Sequence, residues 1–384
     1  MGKIVKLFAE KIAQRYKKAK NSKKSQILDE FCATFEYNRK YAIRKLGKLI
    51  KRHRPAKPKQ KPGPKSKYNI PEVLKPLKDI WLAANLPCSK RLKQIIPLWL
   101  PGYQQKFGRL SLDVIKKLLR ISKNTIDRIL KPIRIQYTGK GRSTTKPGLL
   151  LKHQILIKTN QWDESKPGFL EADTVAHCGN SLAGDFAYTL DAVDIATGWT
   201  EQRAVYGKGE TGVLKQIKDI EASLPFPLLG FDSDNGIEFI NWHLARYFQN
   251  RKPSVDFTRS RPYQKNDNAH IEQKNWTHVR QWLGYRRFEN PQIVLLLNDL
   301  YTKEWRLFHN LFLPSVKLQE KKRIRSRIVK KHDSPKTPYQ RVLDSPVIPK
   351  ETKQYLTDIL KPLNPFDLRE TMDHKIKIIH SLAK

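Results

Sequence analysis

Cysteine is nearly absent: the 384-residue chain holds three, Cys32, Cys88 and Cys178, far apart. No two have the short spacing of a zinc site or a disulfide framework, so incidental thiols in a reducing compartment are expected. Long apolar runs are missing as well. The longest, around Ile293 to Leu297, falls far short of the roughly 20 residues that cross a bilayer. The N-terminus is charged from Lys3 onward and reads as no secretory signal. The third shortage is of acid, with 36 Asp and Glu against 75 Lys and Arg, a formal net charge of +39. Such an excess speaks about partners rather than fold. Nucleic acid is the leading partner and an anionic membrane surface stands well behind, so no membrane association is expected. The expected location is cytoplasmic, of the bacterial type, close to the nucleoid. The length implies two to four domains.

Three of the scarce acids sit in informative places. Asp173 lies in a strand-like run, Gly168 to Thr174. Asp234 follows the apolar strand Leu228 to Phe231 and precedes the turn pair Asn235-Gly236. Glu272 lies early in a helix running from about Asn268 to Leu283. Acids brought together from separate elements hold divalent cations for phosphodiester chemistry. In a strongly basic chain they imply a metal-dependent enzyme acting on DNA, with two Mg²⁺ ions expected and Mn²⁺ able to substitute. Asp173, Asp234 and Glu272 are the expected catalytic residues and metal ligands. Asp232 competes with Asp234, and Glu238 and Asp267 compete with Glu272. Asp191 and Asp194 read as turn or opposite-face residues, His177 and His270 as packing neighbours, and Trp276 and Trp282 as core.

Around these acids the chain reads as a multidomain protein. Residues 1–50 have the helical periodicity of a small helix-turn-helix module, with Ile27, Leu28 and Phe31 on one face and Asn38 as an N-cap. Residues 51–66 are a basic, proline-rich linker. Residues 67–135 read as a second helical, helix-turn-helix DNA-binding module. There Ser111 and Ser122 cap two helices, and Lys123, Asn124, Arg128 and Lys131 face outward as candidate DNA contacts. A second linker, 136–160, leads to an α/β region at 161–318. Its three strands, helix, strand, helix, strand, helix give the element order of a ribonuclease-H-like domain with a mixed sheet. Residues 319–384 read as a basic helical C-terminal region.

The stretch 161–318 resembles the integrase catalytic core of insertion-sequence transposases and retroviral integrases, the DDE enzymes. Asp173 after an apolar strand, Ser233-Asp-Asn-Gly-Ile-Glu-Phe239, Arg261-Pro-Tyr263 nine residues before Glu272, and Phe308-His-Asn310 with Pro314 carry the resemblance, in order and in spacing. Val279 stands where many members have a basic residue, so Lys274 or Arg280 is expected to take the DNA-contacting role on that helix. The resemblance implies a transposase that cleaves the ends of a mobile element and transfers the freed 3′-hydroxyls into target DNA. Its partners would be terminal inverted repeats, target duplex and further copies of itself. The alternatives are a transposase-derived DNA-binding regulator with an inactive core and a simple metal nuclease of the same fold.

Overall fold

The computed structural model describes residues 3–52, 67–137, 166–207, 209–233, 242–252, 254–259, 269–324 and 327–383. All but the first two residues of each expected linker lie outside these, as do Asp234, the turn after it, and the segment 260–268 with Arg261 and Asn268. The chain divides into two compact units, Met1–Lys65 and Ser66–Lys384.

The first unit is helical: α1 (Lys3–Lys18), α2 (Asn21–Phe35) and α3 (Arg39–Arg52). The apolar spacing closes a small core in which Ala9 and Ile12 meet Ile27, Leu28 and Phe31 of α2 and Ala42 and Leu46 of α3. Asn38 caps α3, its Oδ1 accepting the Tyr41 N–H at 2.9 Å.

The second unit is built on a mixed five-stranded sheet. Its strands are β1 (Phe169–Ala176), β2 (Ala187–Asp194), β3 (Thr200–Tyr206), β4 (Gly230–Ser233) and β5 (Asp256–Arg259), in spatial order β3-β2-β1-β4-β5. The first three run antiparallel, and β4 and β5 lie parallel to β1. The β2–β3 hairpin turns where the Thr197 and Gly198 residues suggest, with Asp194 accepting the Thr197 N–H at 2.7 Å and Gly198 at φ 73°. Helices α8 (Glu210–Ser223) and α9 (Trp242–Gln249) cover one face through Leu170, Ala172, Leu190, Val213, Ile217 and Phe231.

Strand alternation sends Glu171, Asp173 and Val175 to the other face. Against that face lies a helical run made of α10 (Ala269–Lys274), a π-helical segment (Asn275–Arg280) and α11 (Gln281–Leu283). Next comes α12 (Gln292–Leu300), continued by π-helical turns at Tyr301–Trp305 and Phe308–Phe312. Two asparagines of this second run close the backbone of β3, an edge of the sheet. The Asn298 amide takes both the N–H and the C=O of Ala204, at 2.7 and 2.9 Å. The Asn310 amide does the same for Thr200, at 2.9 and 2.8 Å. Each side chain replaces the missing neighbouring strand and leaves no raw edge at its position.

Helices α4 (Pro71–Ala83), α5 (Ser89–Phe107), α6 (Leu112–Arg120) and α7 (Lys123–Tyr137) do form where expected, and Ser111 and Ser122 do cap, accepting from Val114 and Thr125. Their buried face is shared, however, with the catalytic-domain candidate and with the C-terminal helices α13 (Pro338–Asp344), α14 (Lys350–Leu360) and α15 (Pro365–Ser381). Trp99 of α5 packs edge-on against Phe308, Phe312 and Phe366, and its indole N–H donates to the Phe312 carbonyl at 3.2 Å. Three segments read as separate therefore bury one another. Helical periodicity marks which face is buried but not what buries it.

One element departs from the helical reading of 319–384. Leu318–Ile324 (β6) and Arg327–His332 (β7) form an antiparallel hairpin joined to no other strand among the described residues. Ile324, Ile328 and Val329 are β-branched, and the charge-dense stretch has no apolar stripe to seat a helix on the core.

Candidate active site

Asp173 stands on the central strand and is half-buried. Its Oδ2 accepts the Asn275 amide at 2.6 Å, while Oδ1 accepts its neighbour's N–H, that of Thr174, at 2.7 Å. Asn275 opens the π-helical segment directly after α10, so this bond ties the central strand to the helical run that contains Glu272. A second tie lies one pleat away, where the buried Glu171 carboxylate accepts the Ile271 N–H at 3.2 Å. Glu272 itself belongs to α10, and its side chain lies outside the described residues.

Asp191 sits directly across from Asp173 in the β1–β2 register, and Gln202 directly across from Asp191 on β3. The three side chains form a row on the face that meets the helical run. Gln202 donates to Asp191 Oδ1 at 2.7 Å. Burial pushes the Asp191 carboxyl up to about 7, against the pull of Gln202 and of Lys274. This corrects the reading of Asp191 as a turn or opposite-face residue. The connection between β1 and β2, residues 177–186, is long enough to permit several registers, and only one places the two acids side by side. Asp194 does hold a turn, accepting from the Gly168 N–H and from Thr197.

Lys274 does not offer its charge to solvent. It is 9% exposed, with Nζ 3.3 Å from His278 Nε2 and 3.4 Å from the Gly198 carbonyl, and burial pulls its ammonium down to about 7. Its ammonium faces the protein interior rather than solvent. Arg280 is half-buried and donates to the Ala176 carbonyl at 2.6 Å, at the end of β1, while stacking on Tyr285. By contrast Lys123, Asn124, Arg128 and Lys131 are all exposed on α7, above buried Ile126, Ile129 and Leu130.

His177 is fully buried, hydrogen-bonded to Thr189 at 2.8 Å and stacked on Phe288. Burial holds it neutral, pulling it down to about 3. That is a packing role, as expected. Trp282 packs among Trp305, Phe308 and His309, also as expected. Trp276, read as core, is 49% exposed. The π-helical segment accounts for the difference: the wider turn rotates side chains relative to a regular α-helix, so Trp276 swings outward and Asn275 faces the sheet. Asn275 escaped the sequence reading for the same reason. Its one signal was its place, three residues after Glu272 and hence on a neighbouring helical position.

Among the described residues no three His, Cys, Asp or Glu side chains converge on a point. Two buried oxygens flanking Asp173, Asp191 Oδ2 and Asn275 Oδ1, have no hydrogen-bond partner. A set of carboxylate and amide oxygens suits a hard divalent cation such as Mg²⁺, so the residues present fit one.

No protein-family model matches the chain. The uncharacterized protein y4rM of Sinorhizobium fredii (strain NBRC 101917 / NGR234) is 38% identical over 338 residues, covering 86% of this chain and 93% of that protein. The chain belongs to the y4rM family. Among solved structures it is similar to the catalytic core domain of BIV integrase, at 15% identity and a TM-score of 0.30, over 49% of this chain and 98% of that one. It is also similar to a chain of the simian T-cell lymphotropic virus intasome in complex with PP2A regulatory subunit B56 gamma. There the identity is 14% and the TM-score 0.36, over 65% of this chain and 76% of that one. Overlaps this loose say nothing of what the y4rM family does.

Proposed function

We propose that the chain is a DNA transposase of the DDE type, which cleaves the ends of a mobile element and joins the freed 3′-hydroxyls to target DNA. The observation that carries this reading is the tie between Asp173 and Asn275: it fixes a carboxylate on the central strand against the helical run that carries Glu272. The Ser233–Phe239 motif and the charge of +39 support it from the sequence. Asp173, Asp234 and Glu272 would hold two Mg²⁺ ions, with Mn²⁺ as substitute, and bound metal supplies nucleophile activation and charge stabilisation at the phosphodiester. Asn275 orients the Asp173 carboxylate, and Asp191, held by Gln202, stands beside it across the β1–β2 pairing.

The α1–α3 unit and the exposed α7 residues Lys123, Asn124, Arg128 and Lys131 are the proposed readers of terminal inverted repeats. Joining two ends to one target requires a homo-oligomer on DNA. The work is cytoplasmic in this reading.

The test is cleavage and joining of a labelled duplex taken from the borders of the coding element, in Mg²⁺ and in Mn²⁺. Cleavage and joining that vanish in Asp173→Asn, with binding retained, are expected. Binding without cleavage by the unaltered chain would indicate a transposase-derived regulator instead. Cleavage without joining would indicate a simple nuclease.

A further inference from the structure

We infer that the β6–β7 hairpin is a DNA-clasping arm that lies in a groove of the duplex. The inference rests on the proposed action on DNA and adds a surface to it.

The hairpin carries Lys321, Lys322, Arg323, Arg327, Lys330 and Lys331 against one acid, Glu320. Lys322, Arg323, Lys330 and Lys331 are exposed, and so are the apolar Leu318, Ile328 and Val329, at 46%, 40% and 49%. Among the described residues the two strands pair only with each other. The exposed Lys322, Arg323, Lys330 and Lys331 crowd one short hairpin, and like charges held this close repel one another in water. A lone two-stranded hairpin is marginal even without that burden. A polyanion laid against it removes the repulsion.

The root, in contrast, is firmly held. Lys317 and Asp333 bond backbone to side chain at 2.6 Å and backbone to backbone at 3.0 Å. Ser315 and Lys336 exchange both backbone bonds. Arg341, 8% exposed, donates to the Ser315 carbonyl at 2.8 Å and to Asp333 at 3.0 Å. A fixed root and a charged, solvent-facing blade make an arm of set direction.

Its dimensions fit duplex DNA. Strands of six to seven residues extend about 20 Å, and the major groove of B-DNA, about 12 Å wide, admits a two-stranded ribbon. The mixture of side chains fits as well. Lysines reach phosphates, while Ile328 and Val329, of no use to a purely ionic contact, can meet sugars and thymine methyls. An acidic protein or an anionic vesicle would meet the charges but has no groove for the blade.

The experiment compares the full chain with a Lys322→Gln, Lys330→Gln, Lys331→Gln variant and with its triple Lys→Arg counterpart. Binding to a 30-base-pair duplex is measured across a salt series, alongside end cleavage. The Gln variant should bind on the order of 10–100-fold more weakly at low salt, with the log–log salt slope reduced by roughly 2–3, about 0.9 for each lost phosphate contact. The Arg variant should keep the unaltered slope. In the unaltered chain, duplex should protect Lys330 and Lys331 from an amine-reactive label read by mass spectrometry, a measurement that needs no variant. An unchanged slope in the Gln variant, or no protection, while the unaltered chain still cleaves ends, overturns the arm and leaves the transposase reading standing. Tighter binding to phosphatidylserine vesicles than to the duplex also overturns it. Arm protection by DNA without any end cleavage would instead sink the transposase reading alone.

Discussion

The amide of Asn275 donates to Asp173 at 2.6 Å, joining the first turn of a π-helical segment to the middle of the sheet. That bond does what a metal site asks of its surroundings, since it fixes one carboxylate oxygen in direction while the Thr174 N–H holds the other at 2.7 Å. Asn275→Ala should therefore lower end cleavage by about 10–100-fold, the usual cost of losing a group that orients a ligand. Repeat-end affinity should stay unchanged, and raising Mg²⁺ should recover part of the rate. An alanine variant that cleaves at the normal rate would show that Asp173 needs no such brace.

The buried histidines make the second unit sensitive to acid. Burial pulls His177 and His309 down to about 3 and His278 well below its ordinary range. His278 and His309 also pack ring on ring, 4.4 Å apart, so charging one opposes charging the other. The unfolded chain takes up these protons near pH 6.5 and the folded chain resists them. The contribution of these histidines is therefore full above pH 6.5 and falls as the pH drops from there toward 3, by about 1.4 kcal/mol per unit for each group. Asp191, raised to about 7, contributes with the opposite sign below neutrality, and Lys274, pulled down to about 7, titrates close by. The stability difference between pH 7.5 and 5.5, read by thermal unfolding, is therefore compared between the unaltered chain and a histidine variant. His309→Asn, whose amide can still donate to the Trp305 carbonyl, should shrink the difference by about 1 kcal/mol. An undiminished difference would remove His309 as a source of the acid lability.

Asn310 is fully buried and closes the backbone of Thr200. Truncation strands one N–H and one C=O inside the protein, so Asn310→Ala should cost about 2–4 kcal/mol. The freed stretch of edge should also promote association between copies, read by light scattering on mild heating. A variant as stable and as monodisperse as the unaltered chain would mean that water replaces the amide there.

The strand and helix order of the core was legible because each element carries its own period: alternation in Phe169 to Val175, apolar stripes in α7 and α12. Caps at Asn38, Ser111 and Ser122 were legible for the same local reason, a short polar side chain just ahead of a stripe. What stayed hidden depends on distant partners. Nothing near Asp191 tells which residue of β1 lies opposite, because register across a long connection is settled by the whole sheet. Lys274 was expected on the DNA-contacting face only as a substitute for the basic residue missing at Val279, yet it is buried, with Arg91 of α5 and Arg341 of α13 near enough to act on its charge. Asn275 and Trp276 exchanged roles through a π-turn that no spacing rule for a regular helix anticipates.

The last prediction separates two acids on one strand. Asp232 lies in β4 between Glu171 of β1 and Thr258 of β5, in register with both. The Thr258 hydroxyl donates to its Oδ1 at 2.7 Å, so this carboxylate already serves to join two parallel strands. β4 ends at Ser233, Asp234 is the next residue in the sequence, and the Asn235-Gly236 pair that follows has the residue types of a turn. The Thr258 bond already engages one Asp232 oxygen, and the sequence motif marks Asp234 rather than Asp232 as the ligand. Asp232→Asn keeps an oxygen for Thr258 and should retain measurable cleavage, with metal requirement raised at most on the order of 10–100-fold. Asp234→Asn should be inactive at every Mg²⁺ concentration. A titration of cleavage rate against Mg²⁺ for both variants decides the matter. A dead Asp232 variant beside an active Asp234 variant would move the ligand two residues back into β4 and make the Thr258 bond part of the metal site.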